Sequence, residues 1–162
     1  MERQFKESFT EFAGNIFRYV YFKVSEYELA KDITEDTFVR YWKVLVKEER
    51  VNSHKALLYF IVNGLIIDYY RTKKKSKNVS LENIDERFLS VEDDVEDAIA
   101  QKQALEEVYK KVKKLKKEHQ DILFLHFIED VSVKEIAFIQ KKKENAIRVL
   151  LHRALKELKK KL

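Results

Sequence analysis

No proline interrupts this chain, and only two glycines, Gly14 and Gly64, are spread over its 162 residues. Hairpins, sandwiches and barrels need those residue types at their turns, so a chain this poor in both has little choice but helix. Lys, Glu and Leu dominate, and all three are good helix formers. The sequence therefore predicts an all-α fold. Hydrophobic residues make up 45% of the chain, enough to build a folded core rather than a disordered tail.

The apolar spacing divides that helix content. Phe5, Phe9, Phe12, Ile16, Tyr19 and Val20 recur at three and four residues, the signature of one buried face, and define a first helix. Ser25 and Glu28 have the spacing of a capping box, which predicts the start of a second helix. Its stripe is Leu29, Ile33, Phe38 and Trp42, and it is expected to run to about Glu48. Asn52 and Ser53 are good N-caps for a third helix, which carries the apolar run "ALLYFIVNGLII" and ends in Arg71, Lys73, Lys74 and Lys75. Residues 76–92 show no sustained period and are expected to be a linker between two small helical domains, 1–75 and 93–162.

In the second domain Val95, Ile99, Leu105, Val108, Val112 and Leu115 form another helical stripe, and "EHQDILFLHFI" a more apolar one. Ser132 and Glu135 then form a second capping box ahead of the short segment "VKEIAFIQ". A "KKK" turn and a basic helix from about Glu144 to Lys160 follow. Short helix, tight turn and longer basic helix outline a helix-turn-helix.

Charge is distributed unevenly. Residues 1–75 carry 14 basic and 11 acidic side chains, residues 76–100 carry 2 and 8, and residues 101–162 carry 17 and 9. Two basic blocks flank an acidic one, as expected if two modules face a polyanion and the segment between them is repelled by it.

No enzyme chemistry emerges. Cysteine is absent, which excludes thiolate metal sites and a cysteine nucleophile and suits a reducing compartment, with the cytoplasm the simplest home. His54, His119, His126 and His152 are scattered without metal-ligand spacing, and no glycine-rich phosphate loop exists, so neither metal nor cofactor is expected. The charged N-terminus lacks the apolar core of a signal peptide, and the run at 56–67 is too short to span a bilayer. Asp32, Glu35 and Asp36 share a helix face, but no histidine stands near them in sequence, so a docking face for a basic partner explains them better than an acid/base pair. Tyr69 and Tyr70 immediately precede Arg71, combining base-stacking faces with phosphate-neutralising charge, as single-stranded nucleic acid requires. In the last helix Asn145, Arg148, His152 and Arg153 are candidates for a major groove, with Arg148 and His152 one helical turn apart.

Taken together, "ELAKDITEDTFVRYWK", "YFIVNGLIIDYYRTKKK" and the run from "SVKEIAFIQ" to "LLHRALKEL" resemble three successive elements of the extracytoplasmic-function (ECF) sigma factors, the smallest members of the bacterial sigma-seventy family. The resemblance implies that Asp32, Thr34, Glu35, Asp36, Phe38 and Trp42 engage core RNA polymerase, at the beta-prime clamp helices, with the beta subunit a further contact. It implies that loop residues Asn52, Ser53 and His54, together with Asn63, Tyr69, Tyr70, Arg71 and Lys73, hold the nontemplate strand of the minus-ten element. The helix-turn-helix would then read the minus-thirty-five element of promoter DNA, and the acidic segment would enter the polymerase cleft. A helix-turn-helix repressor that binds duplex DNA without polymerase is the alternative.

This chain departs from the family pattern at several positions. Asn63 and Gly64 stand where the family usually has Arg-Asn; Lys141 and Lys142 replace the turn Gly and its apolar neighbour; Ala146 replaces Thr; Val149 and Leu150 replace Ser-Arg. Neither Val149 nor Leu150 can form the directed hydrogen bonds of base readout, whereas Lys141, Lys142, Lys143, Arg148, His152 and Arg153 suit phosphates. Weak, salt-sensitive duplex binding follows as the expectation. Specificity would then fall to a partner, either an anti-sigma factor or a DNA-targeting protein, an RNA-guided one among the options, unless Leu150 packs inward and Asn145 and Arg148 still read sequence.

Overall fold

The computed structural model describes residues 1–47, 50–73 and 97–162; the linker expected over 76–92 lies outside them. All regular structure among the described residues is helical, and the chain forms two compact units, one built on the first three helices and the other on the later ones, with Ala137–Lys142 grouped with the first.

The first unit begins with α1, Glu2–Val24, which ends where Ser25 adopts the left-handed conformation (φ 56°) and returns its N–H to the Tyr21 carbonyl at 2.9 Å. That corrects the capping box expected at Ser25. A residue closing one helix in the left-handed region cannot also take the extended geometry of an N-cap, so Glu26 occupies that position and α2 spans Tyr27–Val46. Glu28 still contributes, as an acidic side chain in the first turn near the positive end of the helix dipole. Ser53 behaves as expected: its Oγ accepts the Ala56 N–H at 3.1 Å and starts α3, His54–Lys73.

All three helices of this unit pack against one another. Ile16, Tyr19 and Val20 of α1, Ala30, Phe38 and Tyr41 of α2, and Leu58, Tyr59, Val62 and Ile66 of α3 are buried. Burying a side chain of this size contributes about 1.5–3 kcal/mol, so this shared face holds the unit together. Phe9, expected on the buried face, is 49% exposed, yet its ring meets Phe38 edge to face at 4.9 Å.

In the second unit α4, Asp97–Val112, is followed by α5, Lys117–Leu123, which widens into a π-helical turn over Phe124–Ile128. The Gln120 amide donates to the carbonyls of Lys113 (3.1 Å) and Leu115 (2.7 Å), satisfying two backbone groups of the turn between α4 and α5. α6, Val133–Gln140, opens with the expected capping box, Glu135 N–H to Ser132 Oγ and Ser132 N–H to Glu135 Oε2, both 3.1 Å. Lys141 takes a left-handed turn (φ 55°) and α7 spans Glu144–Lys161. α5 packs on α7, where the buried His119 imidazole is paired with Glu157, and Ile122, Phe124, Ile147 and Ala154 lie in the core.

Candidate functional site

The outer face of α2 is set by what its inner face must do. Thr34 Oγ1 donates to the Ala30 carbonyl at 2.7 Å and is buried; Phe38 is buried among Phe5, Phe9 and Tyr41. Trp42 is half-buried, its ring edge-on to Phe5 at 5.3 Å. These three expected contact residues therefore hold the helix in place from inside. Asp32, Glu35 and Asp36 are exposed, and Asp36 lies 3.5 Å from the Arg40 guanidinium one turn on. Between them and the helix end stand Val39 and Val46, 52% and 48% exposed. The sequence reading missed Val39, although its spacing of three and four residues from Asp36 and Glu35 places it on their face. Carboxylates beside solvent-facing valines make a surface that can form charge-assisted bonds and bury apolar area together.

The residues expected along the nontemplate strand fall at both ends of α3. Asn52 is exposed, Ser53 caps the helix, and His54 Nδ1 is hydrogen-bonded to the Tyr41 hydroxyl at 2.7 Å, which in turn meets Ser8 Oγ at 2.8 Å. Burial raises the Tyr41 phenol pKa, with the Ser8 hydrogen bond acting in the opposite direction. Tyr69, Tyr70, Arg71 and Lys73 lie at the other end, about 25 Å away at 1.5 Å per residue. These residues thus form two stations along one helix. Asn63, between them, is half-buried, and Gly64 is exposed with no atom within 4 Å of where a Cβ would stand.

At the second station the two tyrosines have different partners. Tyr70 donates its hydroxyl to the carbonyl of Lys23 in α1. Tyr69 accepts from the Lys73 ammonium at 2.8 Å, and its ring meets that of Tyr70 edge to face at 5.5 Å. Arg71 is exposed.

On α7 the expected groove residues Asn145, Arg148, His152 and Arg153 are all exposed, as are Lys141, Lys142 and Lys143 before it. Arg148 is committed to its own helix, donating to Asn145 Oδ1 and to Glu144 Oε2, each at 3.2 Å. The two family departures separate: Val149 is 49% exposed, while Leu150 is half-buried. Among the described residues no group of His, Cys, Asp or Glu could hold a metal ion, and no helix is long and apolar enough to cross a membrane.

Two consecutive patterns of the sigma-70 family match this chain, region 2 over residues 9–76 and region 4 over residues 105–158. The chain belongs to the sigma-70 family, as an ECF sigma factor, and so to the non-enzymatic factors that associate with RNA polymerase to initiate transcription. Among its relatives is RNA polymerase sigma factor YlaC of Bacillus subtilis, 27% identical over 155 residues that span 96% of this chain and 90% of that one. ECF RNA polymerase sigma factor BldN of Streptomyces coelicolor is 26% identical over 95% of this chain and 58% of its own length. Among solved structures, the sigma factor RpoE from Bartonella quintana, crystallised with the anti-sigma factor NepR, shares the fold, with a TM-score of 0.74 and 17% identity over 98% of this chain and 96% of that one.

Proposed function

We propose that this sigma factor docks on core RNA polymerase through the outer face of α2, opens the promoter with the two ends of α3, and contributes little sequence discrimination through α7. Docking rests on the exposed row Asp32, Glu35, Asp36 and Val39, a carboxylate face suited to a basic surface such as the beta-prime clamp helices. Thr34, Phe38 and Trp42 support that face from within and Asn52, Ser53, His54, Asn63, Tyr69, Tyr70, Arg71 and Lys73 face or position the separated nontemplate strand. The acidic segment 76–92 enters the polymerase cleft, and the beta subunit completes the interface. The setting for this work is the cytoplasm.

The observation that carries the reading of α7 is Val149. It is exposed on the helix that would enter the major groove, and it has no hydrogen-bonding group to offer a base edge. Lys141, Lys142, Lys143, His152 and Arg153 remain for phosphates, which position a protein without reading sequence. Asn145 and Arg148 are hydrogen-bonded to each other, and Arg148 also to Glu144, so part of their hydrogen-bonding capacity is spent within α7. Upstream specificity then comes from a second protein contacting this surface, an anti-sigma-like factor or a DNA-targeting protein, RNA-guided in one version of the proposal. The region 2 match speaks against a repressor that never meets polymerase.

Transcription from a library with randomised upstream sequence, by this chain and core enzyme alone, tests the proposal. The expected result is initiation with no upstream consensus; a sharp minus-thirty-five consensus would overturn delegated specificity. Failure to co-purify with core enzyme would overturn the docking face.

A further inference from the structure

Helix α1 ends beside the basic end of α3, and that is an awkward neighbour for a phosphate chain. The last carbonyls of a helix lack intrahelical partners and together carry about half a negative charge. Two contacts offset this end. Ser25 N–H satisfies the Tyr21 carbonyl, and the Tyr70 hydroxyl, from 47 positions along the chain, satisfies that of Lys23. The same residue whose carbonyl is capped carries a cation: Lys23 Nζ lies 5.8 Å from the centre of the Tyr19 ring. On α3 the arrangement repeats, with Lys73 Nζ 5.2 Å from the centre of the Tyr69 ring. Lys73 thus lies beside the edge-to-face pair Tyr69 and Tyr70, Lys23 is joined to that pair through its backbone carbonyl, and Arg71 is exposed next to it.

We propose that Lys23 of α1 is a further cation of the strand-binding corner, that Tyr70 is the positioning residue that ties it there, and that Tyr69 is the base-stacking aromatic. The inference rests on the reading that this end of α3 holds the nontemplate strand. Its ligand class is the sugar-phosphate backbone of single-stranded DNA. Tyr70 suits the tie because its hydroxyl is committed to α1, whereas the Tyr69 hydroxyl is held by a cation of its own helix. The site spans two helices, so its phosphate contacts depend on a hydrogen bond that joins them.

The test uses the full chain bound to core RNA polymerase, with a duplex carrying a mismatched, pre-opened bubble as the probe, and measures affinity against salt concentration. Lys23→Ala should weaken bubble binding and reduce the salt slope by about 0.7, the value for one phosphate contact on a single strand, and Lys23→Arg should restore both. Tyr70→Phe keeps the ring and loses the tie; a three- to tenfold loss is expected, as for one net hydrogen bond. Adding Lys23→Ala to Tyr70→Phe should then cost little more, because the two act as one unit. Co-purification with core enzyme should stay close to the parent's, and the thermal midpoint of Tyr70→Phe should fall only by the several degrees that one part-buried hydrogen bond accounts for. Tyr69→Ala and Arg71→Ala separate the two levels of the argument. Should these weaken binding while Lys23→Ala and Tyr70→Phe leave it unchanged, or should the latter two prove additive, the inference is overturned and the strand-binding reading stands. If none of the four weakens binding, the strand-binding reading itself is overturned.

Discussion

The Tyr41 hydroxyl lies 2.7 Å from His54 Nδ1, joining the last third of α2 to the first residue of α3, and Ser8 Oγ of α1 completes the junction at 2.8 Å. Three helices meet at one buried phenol, next to the loop proposed to face the melted strand. Tyr41→Phe preserves the ring but leaves Ser8 and His54 without this partner. We expect a loss of about 1–3 kcal/mol in urea unfolding, the cost of unpaired buried polar groups.

The same phenol gives a pH dependence with a definite sign. Burial raises the folded pKa of Tyr41 above its ordinary value near 10, so between the two values the unfolded chain has lost a proton that the folded chain retains. Stability from this group is complete below pH 10 and falls as pH rises toward the folded value. Wild type should lose stability over that alkaline window faster than Tyr41→Phe does. Parallel curves from denaturant melts between pH 9 and about pH 11 would contradict it.

Gly64 sits inside α3, exposed, with open space where its Cβ would stand. A helix-interior glycine is less favourable than alanine by about 1 kcal/mol, and nothing here clashes with a methyl group. Gly64→Ala should therefore raise stability by up to about 1 kcal/mol, read as a higher urea midpoint at unchanged slope.

The two faces of α2 should respond differently to mutation. Replacing exposed Asp32 and Asp36 with Lys should abolish co-purification with core polymerase while leaving the thermal midpoint nearly unchanged. Phe38→Ala, on the inner face, should cost about 3–5 kcal/mol and lower the midpoint before any effect on docking can be measured. A Phe38→Ala protein of normal stability would contradict the burial described here.

At the start of α6, Ser132→Ala removes one half of a reciprocal cap and should cost about 1 kcal/mol. The opposite result is expected at Ser25, where the side chain caps nothing and the left-handed backbone matters. Ser25→Gly should be neutral or stabilising, since glycine takes that conformation without steric penalty. Circular dichroism melts of both variants provide the comparison.

Much of the architecture was legible without coordinates because it depends on local rules. The lack of proline and the three-and-four apolar spacing imposed helices, and the pattern at Ser132 and Glu135 located a cap that the structure contains. Where two local rules competed, the sequence could not choose: Ser25 could start one helix or end another, and it is the close succession of α1 and α2 that commits it to ending one. The carboxylates of α2 were identifiable by spacing and Phe38 by the apolar stripe, but Thr34, a polar residue beside those carboxylates, is buried and bonds back to the Ala30 carbonyl, a role its residue type does not announce. Tyr69 and Tyr70 are adjacent, of one type, and half-buried alike. Only the arrival of the α1 terminus, brought there by long-range packing, gives Tyr70 a carbonyl to bond and leaves Tyr69 with its own helix. Helix formation is governed by neighbours three and four positions apart, and the roles of these side chains by contacts dozens of residues away.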